Sequence, residues 1–209
     1  MAYTLGFIFA DGNISLNKRG SAYFSLYSAD EDILIFIRRS MGSNHKISKR
    51  NERSGNVFRI QVGSIEMVKD LFVLGLITLK SKRMNLPNIP NKYLANFILG
   101  YFDGDGSVWV GKIHKERLKE TLTIQCSFTS ASLLFLKALH LKLKRLGVKR
   151  GAIHKIKDKD CSRLVLSVKD SLQIYKIMYN KGQVPFCLKR KKNVFDEYIK
   201  IISGRSSAG

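Results

Sequence analysis

The chain has 209 residues, 44% of them hydrophobic, enough to bury a core in one large domain or in two of roughly 100 residues each, so a largely disordered protein is excluded. Its 37 lysines and arginines against 16 aspartates and glutamates give a net charge of +21, which favours a polyanionic partner, nucleic acid ahead of an anionic membrane surface. No apolar run approaches the roughly 20 residues of a spanning helix, and "MAYTLGFIFADG" lacks the basic flank and cleavage site of a signal peptide, so no membrane-embedded or secreted chain is expected.

Read in chain order, the sequence states one programme twice. The apolar run "LGFIFADG" (Leu5 to Gly12) is followed by two alternating segments, "NISLN" and "AYFSLYS", that predict strands. A helix follows in "ADEDILIFIRRSMG", with Asp30 as N-cap and Gly42 as its stop, then strands in "HKISKR" and "NVFRIQVG" and a helix in "SIEMVKDLFVLG". Pro87 and Pro90 in "NLPNIPNK" interrupt the chain, after which "LGYFDGDG" (Leu99 to Gly106) returns at an offset of 94. Strands in "GSVWVGKI" and "TLTIQCSFTS", a helix in "SASLLFLKALHLKLKRLG", strands in "AIHKIK" and "SRLVLSV" and a helix in "DSLQIYKIMYNKG" complete the second copy. His45-Lys46-Ile47 aligns with His154-Lys155-Ile156, and Leu79-Lys80 with Leu188-Lys189, both 109 residues on. The expected fold class is therefore α+β: two pseudo-symmetric α-β-β-α-β-β-α repeats, residues 1–90 and 91–202, with a tail at 203–209 outside the fold. Cys126, Cys161 and Cys187 are odd in number and form no CxxC, and the four histidines have no metal spacing, so no zinc site is expected and a reducing intracellular compartment is.

Small residues at i and i+4, Gly6 with Ala10 and Gly100 with Gly104, line one face of each motif helix and would let two helices approach closely. Their C-terminal ends would then meet, carrying Asp11 and Asp105. An acid at a helix C-terminus is disfavoured by the helix dipole, and two acids side by side repel. A shared divalent cation resolves both problems, and hard carboxylate oxygens suit magnesium, manganese or calcium. Asp103, whose counterpart is Phe9, reads as a helix-end group outside the duplicated pair.

These two motifs, their spacing and the order of elements resemble the LAGLIDADG homing endonucleases, specifically the single-chain members with two motifs, over roughly residues 2–202. The resemblance implies two half-domains, each offering a four-stranded sheet to the DNA major groove, and hydrolysis of one phosphodiester in each strand of a long asymmetric target. It implies that Asp11 and Asp105, with the backbone of Ala10 and Gly104, hold divalent metal: Mg2+, with Mn2+ substituting and Ca2+ supporting binding without cleavage. It also implies a basic residue at each centre, Lys80 and Lys189 by the "LK" match, with Lys82 and Lys191 as near equivalents. A polar residue expected at the end of each second strand corresponds to Ser28 and to Phe128, which would make the half-sites unequal. The implied protein is a monomer on double-stranded DNA; an RNA-binding maturase assisting intron splicing is the alternative on the same scaffold.

Alternation along the strands then selects the side chains expected to face the duplex. In the first half these are Asn13, Ser15, Asn17, Arg19, Tyr23, Ser25, Tyr27, Arg59 and Gln61. In the second they are Ser107, Trp109, Thr121, Thr123, Gln125, Ser127, Arg163 and Ser167. Lys46, Arg50, Arg53, Lys112, Lys155 and Lys157 are expected to contact phosphates. The first 93 residues hold 14 basic and 7 acidic groups and the rest hold 23 and 9, so the second half should supply more of the non-specific attraction.

Overall fold

Hydrophobic periodicity alternates between strands and helices along the whole chain, and the computed structural model, which describes residues 1–18, 20–52, 55–76, 82–113, 121–180 and 184–206, follows it. The first half contains α1 (Ala2–Asp11), β1 (Asn13–Leu16), β2 (Ala22–Ser28), α2 (Glu31–Ser40), β3 (Ile47–Glu52), β4 (Gly55–Gly63) and α3 (Ile65–Val73). The second contains α4 (Asn91–Asp105), β5 (Gly106–Ile113), β6 (Thr121–Ser130), α5 (Leu133–Arg145), β7 (Ala152–Lys155), β8 (Ser162–Val165) and α6 (Val168–Met178). Each half forms one four-stranded antiparallel sheet, in the orders β1-β2-β4-β3 and β5-β6-β8-β7, so the duplication extends to topology. One face of each sheet buries its apolar phase, Ile14, Phe24, Leu26 and Ile60 in one, Ile124, Cys126, Phe128 and Leu164 in the other, beneath α2 and α3 or α5 and α6.

Strand register corrects the alignment of the two copies. Ser25 lies between Asn13 and Gln61, and Ser127 between Ser107 and Val165, which makes Ser127 the counterpart of Ser25. Ser28 therefore answers to Ser130, and Phe128, fully buried, answers to Leu26. The inequality expected from Ser28 and Phe128 is thus overturned: both second strands end in serine. Both serines accept a backbone N–H two residues on, Ser28 from Asp30 at 3.0 Å and Ser130 from Ser132 at 3.1 Å. Ile47 pairs with Ile60 and Ile153 with Leu164, so the counterpart of Ile47 is Ile153, and the repeated His-Lys-Ile is out of register in space.

Two features at the end of the chain depart from expectation. A further helix, α7 (Lys189–Ser206), follows the second repeat, and residues 203–206 belong to it and not to a tail. It seats Phe195 among Phe102, Tyr175 and Tyr179, with ring centroids 5.4–6.1 Å apart, so it closes the core over α4 and α6. Among the described residues α7 has no twin in the first half.

Asp170, in the first turn of α6, shows how a buried acid holds the fold. It accepts from the Ser167 hydroxyl (2.6 Å) and the backbone N–H groups of Lys149 (2.7 Å) and Arg150 (3.0 Å). Burial alone would raise its carboxyl pKa; these hydrogen bonds outweigh burial and hold it below the usual carboxylate value. Asp170→Asn is expected to lower stability by about 2 kcal/mol at neutral pH, the size of hydrogen bonds to a charged group. Because the native pKa is depressed, that contribution is complete above about pH 4, the unfolded-state pKa, and disappears as pH falls through the native one. Urea midpoints of wild type and variant should therefore converge in acid; equal midpoints at neutral pH would refute the account.

Candidate nuclease centre and sheet face

The small-residue faces bring α1 and α4 into backbone contact. A Cβ built on Gly6 would overlap the Phe97 carbonyl, and one on Gly100 would overlap the Tyr3 carbonyl, so each glycine accepts the other helix's backbone. A Cβ on Gly104 would meet the Ala10 Cβ and lie 2.9 Å from the Asp11 carboxylate, which places that carboxylate against the last turn of α4. Gly12 and Gly106 end both helices in extended conformation and send the chain straight into β1 and β5. Asp11 and Asp105 are half-buried at these adjoining ends. Both act electrostatically on the same two buried groups, the hydroxyl of Tyr101 and the ammonium of Lys191.

Lys191, not Lys189, is the lysine delivered to this point. Lys189 starts α7 on the exposed side, whereas Lys191 is 8% exposed. Its Nζ donates to the carbonyl oxygens of Phe102 (2.7 Å), Asp103 (2.8 Å), Gly104 (3.3 Å) and Gly106 (2.7 Å). These include last-turn carbonyls that α4 leaves without intrahelical partners, and an ammonium there also opposes the dipole's negative end. Burial lowers the Lys191 pKa to about 8 against the pull of Asp103, Asp11 and Asp105, so the cation persists at neutral pH. Asp103 supports the same corner: its carboxylate accepts from the Tyr3 hydroxyl (2.6 Å) and from Leu188 N–H (3.0 Å), tying α1, α4 and the approach to α7. Burial raises its pKa, with Tyr3, Leu188 and Lys191 pulling the other way. Across the halves, Arg190 donates to Asp30 at 3.1 and 3.2 Å. Lys80 lies outside the described residues; Lys82 is exposed and pairs with Asp160 at 3.0 Å, far from the buried role of Lys191.

The donor set fits a hard divalent cation. Two carboxylates on adjoining helix ends offer oxygen ligands, and of the four carbonyls bound by Lys191 that of Gly104 is held at the greatest distance. Among the described residues no third His, Cys, Asp or Glu joins a cluster, so the remaining positions suit water and substrate phosphate, as magnesium prefers.

The sheet face sorts the expected contact residues into three groups. Asn13, Ser15, Tyr27, Arg50, Ser107, Trp109, Thr121, Gln125 and Arg163 are exposed, as are Lys46, Lys155 and Lys157, while Tyr23, Arg59 and Gln61 are half-buried. The Arg59 guanidinium lies 5.5 Å from the Tyr27 ring centre in one cross-strand row. Ser25, Thr123 and Ser127 occupy the outward phase but are 2–8% exposed; Ser127 is engaged with Ser107 at 2.8 Å. Other assignments fail on position. Ser167 lies beyond β8 and caps α6 through Asp170 N–H, and Asn17 closes the β1–β2 turn by accepting from Ser21 N–H at 2.8 Å. Lys112 stands opposite Leu122 and Lys155 opposite Ser162, both on the phase of the helix-covered side. Arg19 and Arg53 lie outside the described residues. His154, not singled out as a contact by sequence, shares a row with Arg163 and Thr129; its signal was alternation counted from Ile153.

Two pseudo-symmetric half-domains around a close-packed helix pair, carried on a single chain, define the single-chain LAGLIDADG fold. The chain has this fold, and residues 92–177 match the LAGLIDADG-like domain family. It is similar to the LAGLIDADG meganuclease I-AabMI, solved bound to uncleaved DNA, at a TM-score of 0.70 and 13% identity over 98% of this chain and 92% of the other. I-SmaMI, solved on an uncleaved DNA target with calcium ions, gives a TM-score of 0.66 at 15% identity over 100% and 92%. In sequence, an uncharacterized protein of Methanocaldococcus jannaschii is 28% identical over 200 residues, 92% of this chain and 68% of that one. A probable translation initiation factor IF-2 of Thermococcus kodakarensis is 32% identical over 125 residues, 58% of this chain but 9% of that protein. No helix among the described residues is long and apolar enough to cross a membrane.

Proposed function

We infer that the protein is a site-specific endonuclease that binds a long asymmetric DNA duplex across its two sheets and hydrolyses one phosphodiester in each strand. The observation that carries this reading is the meeting of two acids from duplicated helices at the adjoining ends of α1 and α4, where the chain enters β1 and β5. Structures of the same fold on DNA, one of them with calcium, support it. Asp11 and Asp105 would hold divalent metal, Mg2+ by preference, with Mn2+ able to replace it and Ca2+ supporting binding alone. A cation so bound lowers the pKa of a water nucleophile and stabilises leaving-group charge. The chain's own groups do the rest. Lys191 fixes the end of α4 and so the place of Asp105, and the exposed cations attract the phosphates along the sheets. Pseudo-symmetry presents an acid to each strand from one polypeptide, so a monomer suffices. Three free cysteines suit a reducing compartment.

The test is cleavage of a randomised duplex library in magnesium, with recovery of the cut ends. A single long consensus is expected, cut in both strands, with binding but no cleavage in calcium. Affinity should fall with salt at a log–log slope near −0.9 per phosphate contacted. Recovery of no cleaved sequence, with tight binding to a structured intron RNA instead, would replace this reading with the maturase one.

A further inference from the structure

Helices α2 and α5 occupy equivalent places, each beginning just after the serine that ends a second strand. In that register Glu31, Asp32 and Arg39 of α2 answer to Leu133, Leu134 and Leu141 of α5, and Phe36 answers to Ala138. The chemistry is reversed at each place. The three outward positions of α2 are charged, whereas the leucines of α5 are 44%, 56% and 62% exposed. Phe36 stacks on Phe186 of the segment crossing α2, with centroids 4.9 Å apart, and Tyr3 meets it edge-on at 5.4 Å, so aromatic rings fill that place. The segment crossing α5 brings Leu86 and Pro87 over Ala138 and no aromatic ring. An open groove of about 280 Å³ remains, floored by Leu86, Pro87, Ala138 and Leu141 and rimmed by Lys142 and Arg145.

The charged side chains that line this groove, Lys142 and Arg145, are of one sign. Between Ala131 and Lys157 the chain has eight lysines and arginines and no acid. The nearby carboxylate of Asp170 is turned inward onto backbone N–H groups. Because α5 packs on the apolar faces of β6 and β8, its outer side looks away from the polar sheet face, leaving it free while DNA is bound.

We propose that this groove is a docking site for an acidic segment of a partner protein, which inserts an aromatic side chain over Ala138 where α2 is filled by Phe36 and Phe186. The apolar floor takes the ring, and the rim cations Lys142 and Arg145 take flanking carboxylates. A phosphate backbone would satisfy the cations but leave Leu86, Pro87, Ala138 and Leu141 in water, so a protein segment matches the groove better than nucleic acid. The site is independent of the nuclease reading, and nothing in it overlaps Asp11, Asp105 or Lys191.

The test uses the full chain and a fluorescein-labelled peptide of glutamates and alanines with one central phenylalanine, beside the same peptide with alanine at that place. Anisotropy should give a Kd on the order of 10–100 μM for the first at low salt, and at least tenfold weaker binding for the second. Ala138→Phe supplies the missing ring from within, so it should abolish peptide binding while melting temperature and DNA binding stay at wild-type values. Leu141→Glu, at a surface position, should act alike if Ala138→Phe fails to fold. Equal binding of the two peptides, or full affinity in a folded Ala138→Phe protein, would overturn the proposal. So would competition by duplex RNA that depends on Lys142 and Arg145 but not on Ala138.

Discussion

Gly100→Ala is expected to leave little folded protein. One added methyl group would overlap the backbone carbonyl of Tyr3 and press on the amide of Phe7, and neither can rotate away as a side chain would. Relief requires α1 and α4 to separate, and their faces carry Phe7, Phe9, Phe97 and Tyr101, each no more than 2% exposed. Overpacking a core costs about 1–3 kcal/mol where side chains can yield. Here the backbone must move, and a loss above about 4 kcal/mol, a large share of a domain's stability, is expected. Gly6→Ala should behave alike, since its Cβ would overlap the Phe97 carbonyl. Gly204→Ala is the control: nothing lies within 4 Å of its Cβ, and the same chemical change inside α7 should raise stability by up to about 1 kcal/mol. Denaturant midpoints measure all three. Gly100→Ala within about 1 kcal/mol of wild type would show that the helices are not in backbone contact.

That contact was readable from the sequence because it rests on local spacing. Small residues four apart lie on one helical face whatever the tertiary structure, and two copies of the pattern imply a shared seam. Alternation likewise carries the strands, since a one-residue slip would turn Phe24, Leu26 and Ile124 outward. Pairing between distant segments was not readable. The family resemblance sets Phe128 against Ser28 at the end of the second strand, and only strand register shows Ser130 as the counterpart. Lys189 and Lys191 are both in the run "LKRKK", and which of them is buried depends on how Leu188 is pinned to Asp103, an interaction spanning 85 residues. Ser25, Thr123 and Ser127 sit on the outward phase as expected but are buried, Ser127 against Ser107 of the adjacent strand, which alternation does not encode.

Replacing either acid should separate stability from activity. In Asp11→Asn or Asp105→Asn the side chain keeps its shape and loses its charge. The lost charge stood at a helix C-terminus, where the dipole opposes it, and facing a second carboxylate, which repels it. The attraction of both acids to the buried Lys191 ammonium works the other way, so without metal each variant should lie within about 1 kcal/mol of wild type in stability. Cleavage should fall sharply: an amide is a poor ligand for a hard cation, and loss of one such electrostatic group at a reacting phosphate lowers rates by about a hundred- to a thousandfold. DNA affinity in calcium should change far less, because the cations proposed to contact phosphates are spread over both sheets. This combination of little-changed melting temperature, retained binding and lost cleavage of both strands would distinguish a catalytic pair from structural acids such as Asp170, whose loss should destabilise. Melting curves, anisotropy and strand-resolved cleavage measured on the same preparations decide it, and cleavage within tenfold of wild type in either variant would remove Asp11 and Asp105 from the reaction.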